Sequence, residues 1–253
     1  MSKKFRLIPS VLYKKGSVVK SIQYRNHRVV GDLPSTIRVF SRRQADELII
    51  FDLDASKSGE IDWLMVSACV ENSNMPLTYG GGVKSVDVAN ELICNGFDKI
   101  SFNTALHDDP ENVYQVARLI GSSSTIASVD LKLVDNIPHI CYQSGTKILK
   151  KFDPISVISD FQNIGIGEVI VNQIDDEGLM NGYKLDTFRV FLENAKIPIL
   201  ISGGCSGAEC IKRAYNFGFS GAVMSSIFLW KGDSIPSLKD ELSDEIPVRK
   251  VVK

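Results

Sequence analysis

Eight short apolar runs rich in Ile, Val and Leu recur along the chain: RLIPSVL at 6–12, ELIIFDL at 47–53, MPLTY at 75–79, DKISF at 98–102, STIASVD at 124–130, EVIVN at 168–172, IPILIS at 197–202 and GAVMS at 221–225. Their near-continuous apolar character predicts strands buried on both faces, the signature of parallel β-structure. Helix-like stretches lie between most of them. In SVDVANELICNG at 85–96, Val86, Val88, Ala89, Leu92 and Ile93 approximate one helical face and Gly96 ends it. Eight strand–helix units in 253 residues favour one domain over residues 1–253, an α/β chain closed into a (β/α)8 TIM barrel rather than an open doubly wound sheet.

An internal repeat supports closure. PLTYGGGVKSVDVANELICNGFDKISFNTAL at 76–106 aligns without gaps on PILISGGCSGAECIKRAYNFGFSGAVMSSIF at 198–228. The constant offset pairs Gly81 with Gly203, Gly82 with Gly204, Gly96 with Gly218 and Phe97 with Phe219, as expected of a barrel with two similar halves. In each half a strand runs into a glycine turn and a helix, and the next strand ends in small polar residues. Glycines let backbone N–H groups approach a phosphate, and a helix N-terminus adds partial positive charge. Gly81, Gly82, Asn103 and Thr104 therefore form one candidate phosphate site, and Gly203, Gly204, Ser225 and Ser226 a second, together suiting a small substrate with a phosphate at each end. Ordinary βα turns are the plainer alternative.

Composition narrows the partners. With 44% apolar residues and a net charge of −1 the chain can fill a large core and has no bias toward polyanions, so neither nucleic acid nor an acidic membrane surface is expected. The five cysteines form no Cys-x-x-Cys pair and the three histidines lie far apart, so no metal site, disulfide framework or cofactor is expected. No apolar stretch has the roughly 20 residues that span a bilayer, and MSKKFRLIPS lacks a signal-peptide core; a cytoplasmic location is expected.

Barrel enzymes keep catalytic groups at the carboxyl ends of their strands. Asp52 and Asp54 follow ELIIF, Asp130 closes STIASV, and Asp175, Asp176 and Glu177 follow EVIVNQI. Any of these can act as general acid or base, while a solvated loop or N-cap role fits Asp54 and Asp176 better than Asp130. LKLVDNIPHICYQSGTKILKK at 131–151 predicts a hairpin insertion, a lid over the site. The first strand is different: SVLYKK carries no carboxylate, histidine or cysteine, and Tyr13 and Lys14 have ordinary pKa values of about 10 and above.

Nearly the whole chain resembles the cyclase subunit of imidazole glycerol phosphate synthase, a histidine-pathway barrel that receives ammonia from a glutaminase subunit. The resemblance is carried by RLIP, GSVVK, GD at 31–32, ADELIIFDLDAS, PLTYGGGVKS, GFDKISFNTA, SVDLK, GEVIVNQIDDEG, GYKLD and PILISGGCSG. It implies a heterodimer with a glutaminase, the two phosphate sites, and two catalytic aspartates. Of these the second matches Asp130 and the first falls at Leu12, because the family's IPCLDVK pattern stands here as IPSVLYK. Lys20 matches an active-site lysine and Asp52 an acid near the site. Asn172-Gln173 replaces Thr-Ser, and Glu177-Gly178 replaces Asp-Gly, so the second phosphate site is altered at its edges. Arg6, Glu47, Lys99 and Glu168 match the charged gate through which ammonia enters the barrel, and Asp98 a position contacting the glutaminase.

Leucine cannot exchange a proton, and losing one member of an acid–base pair costs orders of magnitude in rate. The pattern resembles cyclase-like paralogues found with surface-polysaccharide genes, which carry leucines after IP and pass ammonia on to amidinate a sugar with a third protein. Three alternatives stay open: a true cyclase with a substitute acid, a non-catalytic glutaminase-activating scaffold, and the related single-chain isomerase, which needs no ammonia and hence no gate.

Overall fold

All eight apolar runs become parallel strands of a closed barrel in the computed structural model, which describes residues 4–135, 137–149, 154–230 and 234–251. Twelve strands follow one another among the described residues: β1 (Arg6–Lys14), β2 (Ser17–Ile22), β3 (Arg25–Gly31), β4 (Leu48–Asp52), β5 (Leu77–Gly80), β6 (Lys99–Phe102), β7 (Thr125–Val134), β8 (Ile137–Tyr142), β9 (Lys147–Ile148), β10 (Glu168–Gln173), β11 (Ile199–Ser202) and β12 (Gly221–Met224). The barrel runs β1-β4-β5-β6-β7-β10-β11-β12 and back to β1, every pairing parallel. Helices pack outside, as expected when strands have no wet face. The predicted helix at 85–96 spans Val86–Cys94, capped by the Ser85 hydroxyl accepting the Val88 N–H at 3.2 Å.

The repeat is repeated in structure. The bounds of β5, β6 and the helices Val86–Cys94 and Ala105–Asp108 shift by one constant offset onto β11, β12 and the first residues of Ala208–Phe217 and Ile227–Trp230. Gly81 and Gly203 (φ 126° and 89°), and Gly82 and Gly204 (φ 69° and 93°), share left-handed backbone. A Cβ on Gly81 would lie 2.3 Å from the Asp52 carbonyl, and one on Gly203 would lie 2.5 Å from that of Gln173. Only glycine fits where the turn crosses the end of the preceding strand.

Inside the barrel, alternation turns Ile8, Ile49, Ile126, Ile170, Leu200 and Val223 onto the axis, where they form a small cluster of their own with Phe51 against it. A larger cluster joins the outer strand faces to the helices.

Two excursions leave the barrel at the carboxyl ends of its strands. β1 continues past the barrel into β2 and β3, antiparallel; this hairpin is not among the eight expected strands. Its signal was Lys15-Gly16, a two-residue turn with both residues left-handed (φ 50° and 76°). β7 continues into β8 and β9, also antiparallel, the hairpin expected at 131–151; residues 136 and 150–151 of that stretch lie outside the described residues.

Candidate active site

The amino end of the barrel carries a ring of charge. Arg6, Glu47, Lys99 and Glu168 stand at or just before the starts of β1, β4, β6 and β10, and each faces the axis one layer below the isoleucines. Arg6 Nη1 donates to Glu47 Oε1 at 2.6 Å and to Glu168 Oε2 at 3.3 Å, and Nη2 also bonds Glu168. Lys99 Nζ reaches Glu47 Oε2 at 2.7 Å and Glu168 Oε2 at 3.3 Å. The four thus close a cycle of alternating sign. Burial works against the Arg6 charge, but hydrogen bonding and attraction from Glu168, then from Glu47, outweigh it and hold the guanidinium pKa above its ordinary value. Asp98, exposed and next to Lys99, accepts the Leu77 N–H at 2.8 Å.

Above the apolar layer the axis becomes polar. Ser101 and Ser128 share a hydrogen bond of 2.7 Å between their hydroxyls. Asp130 closes the mouth. Its Oδ2 accepts Asn103 Nδ2 at 3.2 Å; its Oδ1 accepts Asn172 Nδ2 at 3.1 Å and the Tyr24 hydroxyl at 2.5 Å. Burial pushes the carboxyl pKa up to about 6, while the bonds from Tyr24, Asn172 and Asn103 pull it down and nearby Glu177 raises it further. Such a carboxyl can hold or release a proton near neutrality.

Leu12 is half-buried at the end of β1, beside Phe51 of β4 and Val19 of β2. No neighbour on β1 replaces it. Tyr13 faces outward and donates to Asp62 at 2.9 Å, its pKa raised by burial and by Asp62, and Lys14 Nζ lies 3.3 Å from His27. Lys20, on β2, is buried with its Nζ 3.9 Å from Glu177 Oε1 and without a hydrogen bond among the described residues. Burial lowers its pKa, and Glu177 offsets part of the fall.

Asp52 is brought to a different task from Asp130. Its Oδ1 accepts the N–H groups of Asp54 and Ala55 at 3.0 and 2.9 Å, and its Oδ2 accepts the Tyr79 hydroxyl at 3.1 Å. It fixes the turn after β4. Asp54 does serve a loop, accepting the Lys15 N–H at 2.6 Å. The solvated-loop expectation for Asp176 is corrected: it is buried and paired with Lys184 at 2.9 Å, because the loop after β10 folds back over the barrel instead of into solvent.

The two glycine loops differ in what surrounds them. At the first, Asn103 is turned inward to Ser128 and Asp130, and Thr104 Oγ1 accepts the Gln143 N–H at 3.2 Å. At the second, Gly203, Gly204, Ser225, Ser226, Glu177 and Gly178 line a cavity. Ser225 donates to the Ser10 carbonyl at 2.6 Å.

Sequence reasoning missed Tyr24. Nothing in SIQYRNH marks a side chain that reaches an acid 106 residues later. The loop after β10 binds both hairpins: Asp175 Oδ2 accepts the Leu133 N–H at 2.7 Å, and the Asp175 carbonyl accepts Gln23 Nε2 at 2.8 Å. Among the described residues no group of three or more His, Cys, Asp and Glu is placed to hold a metal ion, and no helix is long and apolar enough to cross a membrane.

The sequence model of the histidine biosynthesis protein family matches residues 6–233. A Campylobacter jejuni protein provisionally named imidazole glycerol phosphate synthase subunit hisF2 is 34% identical over 240 residues, 95% of this chain and 96% of its own. A Vibrio vulnificus protein, provisionally subunit hisF3, is 32% identical over 231 residues, 90% and 88% of the two chains. The imidazole glycerol phosphate synthase subunit HisF of Francisella philomiragia is 31% identical over 254 residues, 97% and 98% of the two.

Proposed function

We propose a function from the premise that this chain belongs to the histidine biosynthesis protein family, as a HisF-like cyclase subunit of the imidazole glycerol phosphate synthase type. In this reading it pairs with a glutaminase subunit, admits ammonia through the ring of Arg6, Glu47, Lys99 and Glu168, and delivers it along the barrel axis to the mouth at Asp130. The final step is amidination of a surface-polysaccharide sugar, carried out with a third protein, rather than efficient cyclisation.

One observation carries this reading: the charge ring is complete at one end of β1, while at the other end Leu12 stands where the family resemblance calls for an aspartate. One ring member, Arg6, shares β1 with Leu12, so the entrance for ammonia is kept where half of the acid–base pair is gone. Asp130, alone, retains the second position with a pKa suited to proton transfer. Phosphate groups of a substrate would lie on the glycine loops, the second of which lines a small cavity. Asp98 would face the glutaminase.

The test is glutaminase-coupled ammonia release by the purified pair. Slow turnover of the histidine-pathway intermediate, with ammonia delivered when a sugar acceptor and its amidating protein are added, is the expected result; robust cyclisation would overturn it. A second reading, a true cyclase, is favoured by the near-complete coverage of the Francisella philomiragia subunit HisF and predicts that robust rate. A scaffold that only activates the glutaminase predicts that Lys99→Ala leaves product formation by the complex unchanged, whereas a conduit leaks ammonia.

A further inference from the structure

Tyr24 sits in the two-residue turn between β2 and β3, where Ile22 pairs with Arg25. Both central residues are left-handed, Gln23 at φ 51° and Tyr24 at φ 63°. Such turns ordinarily take Asn and Gly, since bulky side chains resist this backbone. Contacts outside the hairpin compensate. Gln23 N–H donates to the Glu177 carbonyl at 3.0 Å and its Nε2 to that of Asp175 at 2.8 Å. The Tyr24 hydroxyl donates to Asp130 Oδ1 at 2.5 Å and accepts Asn172 Nδ2 at 2.6 Å. From the opposite side the second hairpin closes down at Gly145, where a Cβ would lie 2.8 Å from Ile174 and 3.7 Å from the Tyr24 ring.

The chemistry of the Tyr24 contact defines what else could make it. One oxygen gives a proton to a carboxylate and takes one from a carboxamide. A carbonyl oxygen accepts but cannot donate; an ammonium donates but cannot accept. A hydroxyl does both from a single atom. Asn103 holds the other oxygen of Asp130, so the pair is already oriented for its partner. We propose that Asp130 and Asn172 form a hydroxyl-binding site that Tyr24 fills in this structure, and that a polyhydroxylated substrate enters by taking the place of the tyrosine hydroxyl and lifting the β2–β3 hairpin. The proposal rests on the reading of Asp130 as the group that meets the acceptor, and it narrows that acceptor to a compound presenting a hydroxyl beside its reacting centre. Displacement exchanges the two Tyr24 hydroxyl bonds for an equivalent pair, passes the two Gln23 bonds to the loop after β10 over to water, and frees Gln23 and Tyr24 from their left-handed backbone, so the hairpin is a replaceable occupant instead of a fixed wall.

The test uses the full chain with N-acetylglucosamine 1-phosphate as the probe. Amide hydrogen exchange at Gln23 reports the latch, and titration calorimetry reports binding. In the wild type the probe is expected to speed Gln23 exchange at least tenfold. Tyr24→Phe, which keeps the ring and loses both hydroxyl bonds, is expected to show fast Gln23 exchange without the probe and to bind it at least fivefold more tightly. Asn172→Leu is expected to bind it at least fivefold more weakly. Equal Gln23 exchange in Tyr24→Phe and wild type, binding by Tyr24→Phe that is absent or no tighter, or undiminished binding by Asn172→Leu would each overturn the proposal. Neither readout involves ammonia or a glutaminase, so failure here leaves the conduit reading standing, and failure of ammonia transfer leaves the hydroxyl site standing.

Discussion

The two ends of the barrel solve the problem of buried polarity in opposite ways. At the base, each charge of Arg6, Glu47, Lys99 and Glu168 meets two of opposite sign. At the mouth, the Asp130 carboxylate meets two amides and a phenol, all neutral, and the Lys20 amine lies 3.9 Å from Glu177. A closed cycle of opposite charges loses heavily when any one member goes, because its two buried neighbours each lose a partner and must share the one that remains. A carboxylate served by neutral donors can exchange one donor for another at little cost. The base is therefore built to stay as it is, and the mouth to accept replacements.

Breaking the base is expected to give the largest effect. Arg6→Ala leaves Glu47 and Glu168 to share Lys99 and should lower unfolding free energy by about 2–4 kcal/mol, reduced from the full buried-pair value because Lys99 still pairs with both and Arg6 keeps some solvent access; urea denaturation measures it.

The mouth is tested by pH. The folded-state pKa of Asp130, about 6, is raised above its ordinary 3.8, so its contribution to stability is fully present below about pH 4 and is lost as pH rises through 6. Relative to wild type, Asp130→Asn should gain about 1–3 kcal/mol between pH 4 and pH 7. A difference that stays flat with pH would mean that the carboxyl titrates normally.

Leu12→Asp restores a second acid at the mouth. In the glutaminase complex it should raise cyclisation at least tenfold, about 1.4 kcal/mol of barrier; an unchanged rate would show that another group already serves. The smallest effect is expected midway along the axis. Ser101→Ala removes one half of the hydroxyl pair with Ser128 and should cost about 0.5–1.5 kcal/mol, measured by the shift in urea midpoint.

The sequence made the base far more legible than the mouth. Strand periodicity and the constant offset of the repeat locate the eight barrel strands; Arg6, Lys99 and Glu168 each open one of them, with Glu47 one residue before β4, and the family resemblance groups the four into one ring, with which their strand-start positions agree. The mouth is assembled from loops. Tyr24 reaches Asp130 through two hairpin turns whose left-handed residues include Lys15, Gln23 and Tyr24 itself, and no periodicity encodes that path. Asp176 looks like a loop acid and is buried because its loop folds back; Asp52 looks like a candidate catalyst and holds a turn because two N–H groups face it. Local pattern gives strand identity, whereas the direction of a side chain on an irregular segment depends on long-range contacts.

β1 also acts as a spacer. Arg6 and Leu12 point to the same side of one strand and lie about 20 Å apart at the usual strand rise. At that separation even one unit charge acts weakly, below about 1 kcal/mol at an effective dielectric of 20, and the ring at the base sums to zero. Replacing the residue at the tip therefore leaves the electrostatics of the base almost untouched. Evolution can rewrite what happens at one end of the barrel without retuning the other, which makes this architecture modular within a single strand.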